Sequence, residues 1–315
     1  MRIGLVMDAS CDLPQACVDA HQIMVLPVHV KLGDEAFIDR RDQVEIERFL
    51  DRQQKTRHHD TAHTEPCSVE TMQALFLDRL VTQFDCVFCL TSAAELDPTH
   101  ANATRAGFGV LKHYQAVREQ AGQHGQFLLR VIDTRTLAAG AAVVVAEATR
   151  TIKHEQVAAN IREHLMKVSA NACSYLLPRH VRHLRSRASG TGKRRIGLMG
   201  TALDSALDIK PILRCRGGQI EQVGKARGFE EGAEVFLSHI AERIGSGLEV
   251  PFVVLTYGGP LADMHALPGY EAVREACREA DVELLESMMS ISGMARSGTG
   301  ALAAGLACEH YTPDF

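Results

Sequence analysis

Two aspartates flank a short polar turn near the amino terminus, and their spacing could support chemistry. Residues 3–7 are Ile-Gly-Leu-Val-Met, which predicts a short buried strand. The turn from Asp8 to Asp12 follows, and a helix is predicted from Leu13-Pro14 with Asp12 as its N-cap. Open α/β sheets bind their ligands at the carboxyl ends of parallel strands. We therefore expect this turn to lie where a ligand binds.

The same two carboxylates also allow an enzymatic interpretation. Asp8 and Asp12 are similar to the D-x-D-x-T loop of haloacid-dehalogenase enzymes, which needs a nucleophilic carboxylate and a second one two residues later. Position 10 is Ser10 in this chain, so the second carboxylate is not at that spacing. We favour a turn with a helix cap and keep a stand-alone phosphotransferase or hydrolase using Asp8 and Asp12 as the alternative.

Metal and thiol chemistry also have candidate residues, but the sequence around them favours neither. The segment His58-His59-Asp60, with His63 and Glu65, lies in a predicted loop and matches no common zinc pattern. Cys86 and Cys89 form a C-x-x-C inside an apolar strand, and three positions along a strand place two side chains on opposite faces. We therefore expect no metal site and buried, apolar cysteines.

The composition narrows the class of protein. The 315 residues are enough for two domains, 46% are apolar, and the net charge of −5 gives no reason to expect nucleic-acid binding. The amino terminus does not have the pattern of a signal peptide, and the most apolar run, residues 137–146, is too short for an integral membrane span. We expect a cytoplasmic protein with reduced thiols and no cofactor.

The order of elements predicts an α/β fold with two domains. Residues 1–155 alternate strands and helices, which predicts a three-layer α/β/α domain with a parallel sheet. Residues 156–315 predict a smaller two-layer α/β domain, with a β-hairpin around Gly217-Gly218. In this region we also predict a single helix over 261–280, a glycine-rich turn at 293–300 and a closing helix over 301–310.

Five stretches, in order along the chain, resemble motifs of the DegV family. Residues Asp8-Ala9-Ser10-Cys11-Asp12-Leu13-Pro14 resemble D-S-T-x-D-L-P, and Val131-Ile132-Asp133-Thr134, with a glycine in the next helix, resembles V-I-D-S. Residues 207–213 are close to L-N-I-K-P-I-L, and residues 218–228 are close to G-K-I-E-P-V-G-K-x-R-G. Residues 295–301 are similar to A-H-T-G-P-G-A. Together they indicate the fold of this family.

The resemblance implies a function in lipid binding. DegV proteins of bacteria are two-domain carriers that hold a long-chain fatty acid with its carboxylate at the domain junction. They present the acyl group to a separate fatty acid kinase subunit for acyl-phosphate formation. The resemblance therefore implies a carrier and not a complete enzyme. A binding protein for a different small ligand is the alternative.

The family holds the carboxylate with hydroxyl groups in two motifs, T-S-Q-P and L-S-G-T, and this chain departs from both. The first motif is His-Thr-Glu-Pro at residues 63–66, and the second is Leu-Asp-Pro-Thr at residues 96–99. The resemblance thus implies a ligand site from the side chains of His63, Thr64, Asp97, Thr99, Arg296 and Ser297. We expect His63 to pair with Asp97 and Arg296 to be the fixed cation. An unpaired Asp97 is the alternative and would repel a carboxylate.

A basic block follows the first helix of the second domain. No acidic residue occurs between Glu163 and Asp204. A positive surface attracts an acidic partner or a phosphoryl group, and it is also compatible with a solvated helix face. We assign docking of the kinase partner to a set of arginines, namely Arg185, Arg194, Arg195 and Arg227.

Overall fold

The structure is a computed structural model that describes residues 1–55, 62–181, 208–313 and 315. In chain order, the first half forms β1 (Ile3–Asp8), α1 (Gln15–Ala20), β2 (Met24–Leu26), β3 (Val28–Leu32), β4 (Glu35–Asp39), α2 (Gln43–Lys55), β5 (His63–Pro66), α3 (Val69–Leu75), a π-helical turn (Phe76–Leu80), β6 (Cys86–Thr91), α4 (Thr99–Gln120), β7 (Leu128–Asp133) and α5 (Ala138–His154).

The second half completes the fold with strands and helices in less regular order. It forms α6 (Ala158–Asn171), β8 (Ala172–Leu177), β9 (Ile209–Arg216), β10 (Gln219–Arg227), α7 (Phe229–Gly245), β11 (Phe252–Tyr257), α8 (Leu261–His265), α9 (Tyr270–Glu279), β12 (Glu283–Met288), α10 (Ile291–Ser297) and β13 (Leu302–Ala307). The parallel sheet has the order β2-β1-β6-β7, and a mixed sheet has the order β10-β9-β8-β13-β11-β12. The predicted α/β class is confirmed.

The parallel sheet is covered by helices on both faces, as its sequence pattern predicts. Cys86 packs into the core between this sheet and the second half, whereas Cys89 packs into the core beneath α3 and α4. The expectation that these two thiols face opposite sides of β6 is therefore confirmed. The predicted N-cap Asp12 is wrong, because α1 begins after Pro14 with no side-chain cap. The hydroxyl of Ser68, by contrast, accepts from the Thr71 amide and caps α3.

A small antiparallel sheet, in the order β4-β3-β5, lies beside the parallel one and has one exposed face. Val28 and Val30 are buried on its inner face, while His29 and Lys31 are exposed on the other. Neither β4 nor β5 is predicted from the sequence, since β5 is a short polar His-Thr-Glu-Pro segment. Its strand conformation comes from antiparallel pairing with β3.

The mixed sheet contains the largest difference from the predicted structure. The hairpin around Gly217-Gly218 is confirmed, but the closing helix predicted over 301–310 is wrong. Residues Leu302–Ala307 form β13 in the interior of the sheet, antiparallel to both β8 and β11. The small residues of β13 let α5 pack closely, because a Cβ at Gly305 would collide with the backbone of Ala139. Tertiary packing here overrides the helix propensity of an alanine-rich segment.

Two further helix predictions near the carboxyl terminus are corrected by the structure. The single helix predicted over 261–280 is divided into α8 and α9, because Pro268 interrupts it and Gly269 has a φ of 87°. The predicted turn at 293–300 contains α10, and only Gly298 to Gly300 is a loop. In the part of the chain that the structure describes, no helix is long and apolar enough to cross a membrane.

Helix α5 lies between the two large sheets. It packs on β13, β8 and β11 of the mixed sheet and also contacts β1 and β6 of the parallel sheet. Its alanines and valines, residues 141–146, are therefore buried on all sides. The domain division after residue 155 is our proposal, and it falls at the end of this shared helix.

Candidate functional site

A cavity of about 400 Å³ lies between the carboxyl edge of the parallel sheet and one face of the mixed sheet. This volume is within the ~300–1,000 Å³ typical of small-molecule pockets. Its walls come from the β1–α1 turn, β5, the β6–α4 loop, the start of α5, β8 to β10, α10 and β13. The turn after β1 was predicted to lie at a ligand site, and Ser10 of that turn lines the cavity.

The floor of the cavity is an apolar face of the mixed sheet. Leu176 of β8 is paired in register with Leu213 of β9 on one side and with Ala303 of β13 on the other. In the neighbouring row, Cys215 is paired with Ile220 of β10. Directly paired residues point to the same side of a sheet, so all five side chains present one continuous apolar surface.

An ion pair lies at the polar part of the cavity. Asp97, in the β6–α4 loop, accepts a hydrogen bond of 2.7 Å from Nη2 of Arg296 on α10. The Thr99 amide also donates to Asp97 at 2.9 Å, and so does the Thr99 hydroxyl. Burial alone would raise the pKa of the Asp97 carboxyl, but Arg296 and Thr99 outweigh it, so this pKa lies below its usual value. Asp97 is thus an ionised carboxylate that is bound to the cation of the site.

Arg296 has donors that the protein leaves unused. Its Nε atom is buried and has no hydrogen-bond partner, while Nη2 is bound to Asp97. The neighbouring Ser297 also lines the cavity, and its hydroxyl donates to the Gly293 carbonyl at 2.9 Å. A buried N–H without an acceptor costs free energy, so a ligand oxygen beside Arg296 would remove that cost. This end of the cavity suits an oxygen-bearing head group.

Two of the expected ligand residues, His63 and Thr64, lie on opposite faces of β5. Thr64 and Pro66 line the cavity, whereas His63 is exposed on the opposite face of the strand. Nε2 of His63 lies 3.8 Å from a carboxylate oxygen of Glu65 and not beside Asp97. The expected pair of His63 with Asp97 is therefore corrected, because side chains alternate along a strand. The partner of Asp97 is Arg296.

The structure thus brings together four of the six expected ligand residues at the cavity wall, namely Thr64, Asp97, Arg296 and Ser297. Thr99 supports the wall by binding Asp97, and His63 is outside it. Sequence reasoning missed Ser10 as a lining residue, although it lies within the turn singled out at the start. Its hydroxyl donates to Asp8 and lies 3.0 Å from the Ser92 hydroxyl.

The carboxylates of the first turn act as buried hydrogen-bond acceptors. Asp8 accepts from the Ser92 amide at 2.7 Å and from the Ser10 amide at 3.0 Å, which joins the ends of β1 and β6. Burial, and then the charge of Asp97, raise the pKa of the Asp8 carboxyl. Asp12 binds Arg41 at 3.3 Å. Neither aspartate lines the cavity, so the phosphotransferase alternative gains no support from their positions.

A buried network fixes the start of α10. Asp39 accepts from the amide of Ser292 at 2.8 Å and from its hydroxyl at 2.7 Å, and also from the Arg41 amide at 3.2 Å. Asp12 accepts from the Ser290 amide at 2.9 Å. Arg41 donates to Asp12 and to the Met288 carbonyl. This network ties the helix that carries Arg296 to the first half of the chain.

The remaining predicted sites fall partly outside the described residues. Arg227 is exposed at the end of β10, whereas Arg185, Arg194 and Arg195 lie in the range 182–207, which the structure does not describe. The segment His58-His59-Asp60 lies outside the described residues as well. Among the residues that are described, no group of three or more potential ligands could hold a metal ion.

Fold and cavity together define an α/β protein with two large sheets and a small one, an apolar pocket and an ion pair in the pocket wall. The family model described as "Uncharacterised protein, DegV family" matches residues 2–309. A DegV domain-containing protein of Xanthomonas axonopodis pv. citri is 44% identical over 311 residues, which is 99% of each chain. The chain belongs to the DegV family, as its motifs indicate.

Solved structures with the same fold cover nearly the whole chain. A fatty acid (stearic acid)-binding protein of Eubacterium ventriosum has a TM-score of 0.77 at 19% identity, over 97% of this chain and 98% of that one. DegV of Bacillus subtilis, described as a fatty acid binding protein, has a TM-score of 0.74 at 18% identity, over 98% of this chain and 100% of that one. A DegV family protein of Eubacterium eligens, loaded with heptadecanoic acid, has a TM-score of 0.73 at 18% identity, over 98% and 100%.

Proposed function

We propose that this chain binds a long-chain fatty acid, with its tail on the apolar floor of the cavity and its carboxyl group beside Arg296. The observation that carries the proposal is one cavity that joins an apolar sheet face to an arginine with a buried, unused N–H. The ligands named for the structural relatives from Eubacterium and Bacillus have the same combination of a long apolar tail and a carboxyl group.

The tail should supply most of the affinity. Burial of each CH₂ group contributes ~0.8 kcal/mol, so about twelve buried groups give roughly 10 kcal/mol before the cost of association. A charged hydrogen bond contributes ~1.5–3 kcal/mol and a neutral one about half of that. Changes at the head group should therefore tune binding and not abolish it.

Mass spectrometry under native conditions tests the proposal on the purified full chain. A co-purified species of fatty acid mass, removed by delipidation and restored by palmitate, is the expected result. Palmitate should then bind with micromolar or tighter affinity. No fatty acid in the extract, together with no binding of added palmitate, would refute the proposal.

Substitutions in the wall of the cavity locate the head group. Arg296→Ala should weaken palmitate binding more than Thr64→Ala, because it removes a charged donor and leaves Asp97 without its partner. Arg227→Ala is the matched control, since this arginine is exposed and does not line the cavity. If Arg296→Ala and the control bind palmitate alike, the head group lies elsewhere.

We further propose that the protein is a non-catalytic, cytoplasmic carrier that presents its acyl group to a bacterial fatty acid kinase subunit. The support is the motif resemblance, the acid-free basic block and the exposed position of Arg227. Reversing the charge of Arg185, Arg194, Arg195 and Arg227 to Glu should leave palmitate binding intact and weaken association with the kinase, most strongly at low salt. Equal kinase affinity for both forms would exclude this docking surface.

A further inference from the structure

The cation of the cavity already has a counter-ion, and this distinguishes the site from a simple anion site. Among the described residues that line the cavity, Arg296 and Asp97 are the two that carry charge. Their 2.7 Å contact makes the wall neutral overall. The side chain of Asp97 is 6% exposed and that of Arg296 is 25% exposed, so water screens the pair only weakly.

Among the described residues that line the cavity, none adds a second positive charge beside Asp97. Asp8, at the end of β1, is buried and close enough to Asp97 for the two carboxyl groups to repel. On β5, His63 and Glu65 face away from the cavity, and the neutral Thr64 faces it. Strands β8 to β10 contribute only apolar side chains, a serine and a cysteine. Among these described residues, a bound carboxylate would therefore meet one guanidinium and one carboxylate.

We propose that a fatty acid binds to this site together with one proton, which the ligand carboxyl group shares with Asp97. This inference rests on the proposed function. Two carboxylates in one poorly hydrated site disfavour double ionisation, and such a pair titrates as a unit. The proton comes from solvent, because Asp97 is ionised in the ligand-free protein and the free fatty acid is ionised near neutral pH. The shared proton forms a hydrogen bond between the ligand carboxyl group and the Asp97 carboxylate. The unused Nε of Arg296 can donate to an oxygen of the ligand.

Proton uptake predicts the pH dependence of affinity. Between about pH 6 and pH 8, the Kd for dodecanoate should rise about tenfold for each pH unit. Calorimetric titrations in two buffers of different ionisation enthalpy measure the proton directly, and about one proton should be taken up per dodecanoate bound. Dodecanol has no ionisable group, so its Kd should stay constant over the same range.

Asp97→Asn should remove the proton uptake, because the amide keeps the shape of the side chain without its charge. The Kd of this variant for dodecanoate should change less than about twofold over the same pH range. Asp97→Ser tests the same point with the serine of the family motif, should the asparagine variant fold poorly. Glu95→Gln is the matched control, since Glu95 is an exposed carboxylate two residues away, and it should keep the wild-type slope.

Two results would overturn the proton-linkage proposal. The first is a dodecanoate Kd of the wild-type protein that does not change with pH, and the second is a pH dependence of this Kd that both Asp97 variants keep unchanged. That result differs from failure of the proposed function. A protein that binds no dodecanoate or palmitate at any pH contradicts fatty-acid binding itself. A protein that binds both ligands with a pH-independent Kd contradicts only the shared proton.

Discussion

The network that fixes α10 gives a prediction for stability and for binding at once. Asp39 is fully buried and accepts three hydrogen bonds, two from Ser292 and one from the Arg41 amide. Asp39→Ala removes the acceptor of all three hydrogen bonds. The Ser292 hydroxyl has a second partner in Ser290, at 3.4 Å, but the two amides do not. Each buried donor left unpaired costs ~1–3 kcal/mol, so the free energy of unfolding should fall by about 3–5 kcal/mol.

Asp39→Asn should lower the free energy of unfolding by about half as much as Asp39→Ala. The amide oxygen still accepts hydrogen bonds, but the NH₂ group that replaces the second oxygen faces donors and accepts none. Urea denaturation followed by circular dichroism measures both variants, since the chain contains no tryptophan for fluorescence. Asp34→Ala is the control: Asp34 is exposed in the same hairpin and should change stability by less than about 0.5 kcal/mol.

The same variants test whether the network positions the cavity wall. Ser292 precedes Arg296 by one helical turn, so loss of its anchor should displace the guanidinium and weaken palmitate binding several-fold. Dodecanol binding, which depends on the apolar floor, should change less. If Asp39→Ala unfolds at the same urea concentration as Asp34→Ala, the network does not hold α10 and the reasoning fails.

Two further predictions concern the packing around α5. Glu147 has a buried carboxylate that accepts from Arg150 and His164. These hydrogen bonds outweigh burial and hold its pKa below the usual value. Its contribution is therefore fully present above the usual glutamate pKa of ~4.3 and is lost as the pH falls through the lowered pKa, so Glu147→Gln should reduce the free energy of unfolding by about 1–2 kcal/mol at neutral pH and by less in acid. A difference that grows in acid would contradict this. Gly305→Leu should abolish folding or cost more than ~4 kcal/mol, because the side chain would enter the backbone of α5 at Ala139, and soluble yield with circular dichroism measures it.

The sequence predicts elements well where local pattern and tertiary position agree. A run of six apolar and β-prone residues that ends at a glycine pair predicts a strand at 252–257, and the structure has the strand Phe252–Tyr257. The hairpin at Gly217-Gly218 is predicted because glycine readily adopts a positive φ, and both residues have a positive φ in the structure. Strands β13 and β5 are missed for opposite reasons. Strand β13 has the composition of a helix and is a strand because β8 and β11 pair with its two edges. Strand β5 is polar and exposed on one face.

The site is predictable as a set of residues but not as a set of contacts. Motif resemblance locates Thr64, Asp97, Arg296 and Ser297, because these positions correspond to family motifs. The pairing within the set depends on which face of β5 each side chain occupies, and that strand is not evident from its sequence. The contact that matters joins residues 199 positions apart. Such a contact is evident only in the folded structure, where α10 lies beside the carboxyl edge of the parallel sheet.

The ion pair also explains why two departures from the family motifs occur in one chain. The motifs have serine and histidine where this chain has Asp97 and Arg296. Aspartate alone would put an unpaired charge in a wall that is 6% exposed at that side chain, and such burial is costly. Arginine alone would bury a cation that only a bound anion neutralises. Together they keep the wall neutral, and the Nε of Arg296 stays without a hydrogen-bond partner in the protein. The two departures from the motifs therefore act together, because each buried charge needs the other as its partner.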